Sequence, residues 1–455
     1  MKRLFRGGTV VSGDGLKKLD VLVKGEKILA MGEKLAFRDV EVIDVRGKLL
    51  LPGFVDSHIH MDQEVSGILT ADGMETGTKA ELAGGTTCVV DYAVQESGKS
   101  LEEVVNHRRM MTEGKVSCDY ALHLVLTEWN EEISEELGHI VEEGIHSFRL
   151  YMPEDTMTLD DQSIYEMLAR VKELGGIAGF QCENRGIIAA RMEEVAREKG
   201  SRTLISDYPY ARPVWAEVET IGRILKIARC VDTPVVIVNL SSKEGYEEIR
   251  RARESGQTVY VETSMPYLFM DESKYILENQ EAVRYLTVPP LRGEEDRETL
   301  WKALKEDTVQ AVASDHWGFT DSQKAEGAED FAGMTYGMPG AEERPALMHY
   351  KGVGEGMITM EQMCKLLSEN PARLCHLYPQ KGAIAPGSDA DIVVWNPETE
   401  WKVEAEKQQS ACGYSLYEGT KLKGRAEQVY LRGNLVAEDG QIREAYAGQY
   451  IEAGR

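Results

Sequence analysis

Eight short apolar runs alternate with helix-like segments through the middle of this chain, and that alternation restricts the fold more than any other feature. The first run leads into His58, and the others cover residues 85–91, 120–126, 147–152, 176–181, 234–239, 259–263 and 309–314. Segments such as 161–174 and 215–228 follow them and carry helical character. Short strands separated by helices pair in parallel, because a helical crossover returns the chain to the same sheet. Eight such repeats predict a (β/α)8 barrel, with its chemistry at the C-terminal strand ends. Residues 3–50 read instead as short strands joined by tight turns, and residues 390–395 and 428–433 have the same character. Both termini are therefore expected to form one small β-sandwich. The expected division is 1–50 and 379–455 in the sandwich and tail, with 51–378 in the barrel.

The predicted strand ends are polar. The first run ends in His58-Ile59-His60, and side chains two apart on a strand share a face. Two imidazoles converging at the end of a buried strand suit a divalent metal; the structural alternative is a pair of hydrogen-bonded histidines. Strand four carries Arg149, strand five Gln181, strand six Asn239 and strand eight Asp315.

Composition removes several classes of partner. The chain has 77 acidic and 52 basic residues, a formal charge of −25, which disfavours a sequence-independent grip on nucleic acid or anionic membrane. No apolar run reaches the roughly 18 residues that a membrane span needs. The N-terminus turns polar and glycine-rich too early for a signal peptide. Seven scattered cysteines without a CxxC pair fit a reducing cytoplasm. A soluble cytoplasmic protein is the expectation.

Longer stretches sharpen this. Pro52-Gly53-Phe54-Val55-Asp56-Ser57-His58-Ile59-His60, Gly84-Gly85-Thr86-Thr87, Cys182-Glu183-Asn184, Pro289-Pro290-Leu291-Arg292, Ala313-Ser314-Asp315-His316 and the run from Lys381 to Asp391 together resemble the amidohydrolase superfamily, and within it the dihydropyrimidinase–hydantoinase family. The resemblance implies hydrolysis of cyclic amides, and usually a tetramer. It also implies six ligands for two metal ions: His-x-His on strand one, a carboxylated lysine on strand four, histidines on strands five and six, and an aspartate on strand eight. Here His58, His60 and Asp315 match that pattern, while Arg149, Gln181 and Asn239 stand at the other three positions. Arginine is cationic at any working pH and has no acceptor lone pairs, so it cannot replace an anionic bridge. Neutral amides are poor zinc ligands beside imidazole.

The expectation is therefore at most one divalent ion, zinc or manganese, on His58, His60 and Asp315, with Asp315 as general base. A binuclear centre with a carboxylated lysine is not expected. Arg149 either pairs with Asp315, holds a substrate carbonyl or carboxylate, or fills the vacated place with a buried salt bridge. The family's oxyanion-stabilising tyrosine falls near Glu154, and a ring-binding asparagine becomes Tyr336, so Arg149, Glu154, Gln181, Asn239 and Tyr336 form a rebuilt site. An ordinary hydantoin or dihydrouracil is not the expected substrate. Secondary candidates are Cys182 as a nucleophile with His316, and Asp62 as a partner of His58 or His60. His123 is expected to be structural, and Glu183 and Asn184 to cap or tie the loop after strand five. Two further functions stay open. One is a non-catalytic binding or assembly partner, as in some animal relatives of dihydropyrimidinase that have lost their ligands; the other is metal-free lyase or isomerase chemistry on Arg149 and nearby acids. The family's C-terminal tail often reaches a neighbouring subunit and is short here, leaving homodimer and homotetramer equally expected.

Overall fold

The computed structural model describes residues 2–65, 67–153, 158–200, 204–326 and 335–454. Eight strands line a barrel in chain order: β1 (Phe54–Asp56), β2 (Thr86–Val94), β3 (Asp119–Val125), β4 (Ser147–Tyr151), β5 (Ile177–Gln181), β6 (Val235–Val238), β7 (Val259–Ser264) and β8 (Ala311–Ala313). Each pairs in parallel with its neighbours in sequence. Beyond the regular strands, β8 and β1 meet through two main-chain bonds. The Asp315 N–H donates to the His58 carbonyl (3.1 Å) and the His60 N–H to the His316 carbonyl (2.9 Å). The barrel thus closes at the residues singled out for chemistry.

The helices form because their apolar positions recur on one face. In the helix Asp161–Glu173 the buried residues Ile164, Met167, Leu168 and Val171 follow i, i+3, i+4, i+7 spacing. Asp160 caps its first turn by accepting the Ser163 N–H at 2.8 Å, and Arg170 and Lys172 stand in its last turn, where cations complement the helix dipole.

The termini build two further sheets. Four strands pair in the order Lys27–Gly32, Asp20–Lys24, Lys2–Arg6, Glu41–Asp44. Seven pair in the order Gln441–Ile442, Asn434–Glu438, Lys421–Leu431, Ile392–Lys402, Leu49–Pro52, Thr9–Ser12, Gly15–Lys18. Phe5, Val21, Ile392 and Tyr430 pack in the core shared by these sheets. The apolar run before His58 is not one strand, as its sequence suggested. Leu49–Pro52 belongs to the seven-stranded sheet, and the barrel begins at Phe54. Gly53 divides them because a side chain there would overlap Thr87 Oγ1, so the chain passes β2 too closely for any Cβ.

Buried charge joins the two parts. Lys381, fully buried, reaches Asp391 (2.8 Å), Asp389 (3.0 Å) and Asp119 at the start of β3. The tail folds under the same chain's barrel: Ile451 N–H donates to the Tyr120 carbonyl (2.8 Å) and Ala453 N–H to the Gly144 carbonyl (3.1 Å). On the other side, Glu342 accepts the Gln409 N–H at 2.9 Å, tying the segment after β8 to a loop of the sandwich. Burial, reinforced by Glu343, raises the Glu342 carboxyl to about 8. An acid whose pKa rises on folding loses stability as pH climbs from its unfolded value, near 4.5, to its folded one. Glu342→Gln should therefore gain stability over the parent progressively from pH 4.5 to 8, by a few kcal/mol at most since one pKa unit is about 1.4 kcal/mol, and no further above pH 8. Thermal melts of both proteins across that range check this; a pH-independent difference would refute it.

Candidate metal centre

His58 and His60 lie just past β1 and Asp315 just past β8, on the two sides of the barrel seam. Asp56, fully buried, fastens that seam. Its carboxylate accepts the N–H groups of Ser314 (3.1 and 3.2 Å) and His58 (3.2 Å) and pairs with Arg344 at 3.2 Å. Asp315 takes a left-handed backbone, φ 52°, which Asp tolerates better than most residues and which turns its side chain over the barrel mouth.

The three side chains converge. His58 Nε2 is 3.1 Å from His60 Nε2, and each is 3.4 Å from Asp315 Oδ1. The outer nitrogens are committed: His58 Nδ1 lies 3.1 Å from Glu262 Oε1 and His60 Nδ1 3.0 Å from Gln63 Oε1. Both partners are acceptors, so each Nδ1 carries a hydrogen and each Nε2 presents a lone pair. Two lone pairs and a carboxylate oxygen then face one another, an arrangement that a shared cation relieves. Tetrahedral ligands about 2.0–2.1 Å from an ion stand roughly 3.3–3.4 Å apart, close to the spacing here, so the residues fit one divalent ion. A proton also meets part of this demand. Burial opposes charge on His58, but Asp315 and Glu262 outweigh it and hold the imidazole above its ordinary value, whereas burial prevails at His60 and lowers it.

Two other groups of possible ligands among the described residues do not fit as well. Asp119, Asp389 and Asp391 are already paired with cations: Lys381 touches all three, Arg432 also pairs with Asp119, and Lys27 with Asp389 at 2.6 Å. In Asp72, His316 and Cys412, His316 Nδ1 accepts the N–H groups of Gly340 (3.2 Å) and Ala341 (3.3 Å), so its proton sits on Nε2, facing Asp72 at 3.1 Å.

The remaining predicted positions separate. Arg149 does not reach Asp315. It lies 3.8 Å from Glu262 and 3.3 Å from His123 Nε2, only 3 % exposed, crossing the barrel over Gly179, where any Cβ would overlap its Nη1. Burial opposes its charge, but Glu262 holds its pKa above the ordinary value, and Arg149 with His58 keeps Glu262 low despite burial. Asn239, also left-handed at φ 53°, donates to Asp315 Oδ2 at 3.1 Å and accepts from Ser264, so both ends of its amide are used. Gln181 donates to the Val288 carbonyl at 3.1 Å. Tyr336 stacks on Tyr208, centroids 5.5 Å apart. Glu154 lies outside the described residues.

His123 bonds through both nitrogens, to Ser147 (2.7 Å) and the Ser57 carbonyl (2.9 Å). Glu183 forms a two-pronged pair with Arg212 (2.6 and 3.1 Å), and Asn184 caps the helix Arg185–Lys199. Cys182 is buried, its thiol pushed well up by burial, and His316 is turned to Asp72 instead. Asp62 binds the Met74 N–H (2.8 Å), and its neighbour Gln63 holds His60. The sequence reading overlooked Glu262, Gln63, Tyr92 and Trp317. Glu262 was detectable as an acid inside the apolar run 259–263. The aromatic pair was not, although His60 lies between Trp317 (4.2 Å) and Tyr92 (5.3 Å).

Comparison with known proteins gives matches along the whole chain. Residues 49–436 match the model of the amidohydrolase family. The chain is 34% identical to D-hydantoinase of Ralstonia pickettii, with 99% of each covered, and 34% identical to dihydropyrimidinase-related protein 5 of Homo sapiens, covering 96% of this chain and 78% of that protein. The crystal structure of dihydropyrimidinase from Brevibacillus agri superposes with a TM-score of 0.96 at 35% identity, covering both chains completely.

The Arg149–Glu262 contact makes a stability prediction. Removing one partner of a buried pair strands the other charge, so Arg149→Met should cost about 3 kcal/mol. Arg149→Met with Glu262→Gln should cost less than the two single changes added together. Denaturant unfolding of the four proteins measures the coupling, and strict additivity would show that the charges do not sense each other.

Proposed function

Since the chain belongs to the amidohydrolase family and is hydantoinase- and dihydropyrimidinase-like over its full length, we propose that it hydrolyses a C–N bond of a cyclic amide with one divalent ion, zinc or manganese, on His58, His60 and Asp315. The observation that carries this reading is the convergence of three acceptor atoms within 3.1–3.4 Å, with both outer imidazole nitrogens held as donors. Such an ion supplies Lewis acidity and lowers the pKa of a bound water. The protein side of the chemistry is orientation and proton handling. Glu262 and Gln63 fix the two rings. Asn239 holds Asp315 Oδ2 in place (3.1 Å), so that Asp315 can take the proton of the attacking water and return it to the leaving nitrogen. The reading includes a cytoplasmic setting, supported by seven free cysteines, and assembly as a homodimer or homotetramer.

A second reading has its own support. Asn239 has both amide ends engaged, Gln181 binds a carbonyl, and a guanidinium stands at the position that the resemblance gives to an anionic bridge, so these three positions offer little to a second ion. A non-catalytic binding or assembly role accounts for that loss; metal-free lyase or isomerase chemistry would need Arg149 at the substrate.

Metal analysis of protein purified without added metal or chelator separates these readings. About one ion per chain is expected, falling to near zero in His58→Ala and Asp315→Ala. Asp315→Asn should lower turnover of cyclic amides by two or more orders of magnitude, about what general-base catalysis supplies. No metal, even after reconstitution with zinc or manganese, would end the hydrolase reading in favour of the binding one.

A further inference from the structure

The inner face of β4 presents Ser147, Arg149 and Tyr151 at two-residue spacing, with Tyr151 level with Gln181 at the barrel mouth. Ser147 is engaged by His123. The other two are not satisfied by the protein. Arg149 Nε and Nη1 and the Tyr151 hydroxyl are buried without a hydrogen-bond partner, as is the hydroxyl of Tyr92. The Tyr92 and Tyr151 rings meet edge to face at 5.9 Å, and Tyr92 packs on His58 and His60 at 5.4 and 5.3 Å. Should one phenol donate to the other, one O–H and two guanidinium nitrogens still remain to donate.

Arg149 is also short of a close anion. Glu262 gives Oε1 to His58 (3.1 Å) and Oε2 to Ser57 (2.5 Å), which leaves Arg149 a contact of 3.8 Å. A guanidinium this buried is stabilised by an anion with two acceptor oxygens matching its planar fork. A phenol donates through its O–H, so Tyr92 and Tyr151 add donors beside the guanidinium. We propose that Arg149, Tyr151 and Tyr92 bind a carboxylate, and that the substrate of the adjoining centre is a cyclic amide whose ring bears one. The substrate half of this inference rests on the hydrolase reading; the carboxylate site does not.

Dihydrouracil and dihydroorotate share a ring and differ by one carboxylate, which makes them suitable probes. Calorimetry on the full chain, loaded with zinc or manganese, should show dihydroorotate binding at least about tenfold more tightly, the scale of a charge-assisted pair. Tyr151→Phe, which removes one hydroxyl, should reduce that preference severalfold while changing dihydrouracil affinity less than about twofold. Arg149→Gln should abolish it; should that variant unfold, Tyr151→Phe alone decides. Equal affinity for the two probes, no binding of dihydroorotate, or a preference unchanged in Tyr151→Phe would overturn the inference. Carboxylate-dependent binding without turnover would leave the site standing and refute hydrolysis. Turnover of dihydrouracil with no gain from the carboxylate would do the reverse.

Discussion

The carboxylate of Asp56 holds the place on which the rest of the molecule depends. A parallel barrel has to join its last strand to its first, and here the regular ladder stops short on both sides. Asp56 accepts N–H groups from Ser314 and His58, one on each edge, and Arg344 balances its charge. Two main-chain bonds beyond it complete the closure. His58, His60 and Asp315 are carried by those closing residues, so the same backbone geometry that seals the barrel sets the distances among their three converging donor atoms. A buried carboxylate receiving several N–H groups in low dielectric is rigid, and it holds the converging side chains of the seam in place.

Around that seam the charges have been rearranged relative to the family pattern. Where a negative bridge would hold two cations, a guanidinium lies 3.8 Å from Glu262. Glu262 thereby serves His58, Ser57 and Arg149 together. Asn239 and Gln181 spend their amides on Asp315, Ser264 and the Val288 carbonyl. These contacts suit a centre with room for one ion and a polar wall beside it. The human dihydropyrimidinase-related protein 5 and the bacterial D-hydantoinase stand at the same identity to this chain, 34%, so overall similarity does not separate the two.

Several of the stretches that carry the family resemblance turn out to be structural. The run from Lys381 to Asp391 supplies a buried lysine and two aspartates that bind the sandwich to β3. Cys182-Glu183-Asn184 provides a charge clamp on Arg212 and a helix cap. Gly53 lets the chain leave one sheet and enter another beside Thr87. Such positions are restricted because they hold two modules in register, so a motif match there reports the fold more than the reaction.

The barrel and the terminal sandwich could be read from the chain, because strand spacing and turn residues are local properties; the His58-x-His60 spacing is local too, whereas Asp315 joined that pair only through the family resemblance. The partners of those residues could not. Arg149 meets Glu262, over 100 positions away, in place of Asp315, because the layer a side chain occupies depends on strand stagger around a closed barrel. Gln63 supports His60 where the sequence offered only Asp62, because Asp62 has a left-handed backbone and binds the Met74 N–H. The tail beneath the barrel and the split of the first apolar run at Gly53 depend likewise on which surface lies opposite. Sequence alone determined which groups can bind a cation or carry charge; the closing of the barrel decided which of them touch, because contact across a barrel is fixed by register and layer and not by separation along the chain.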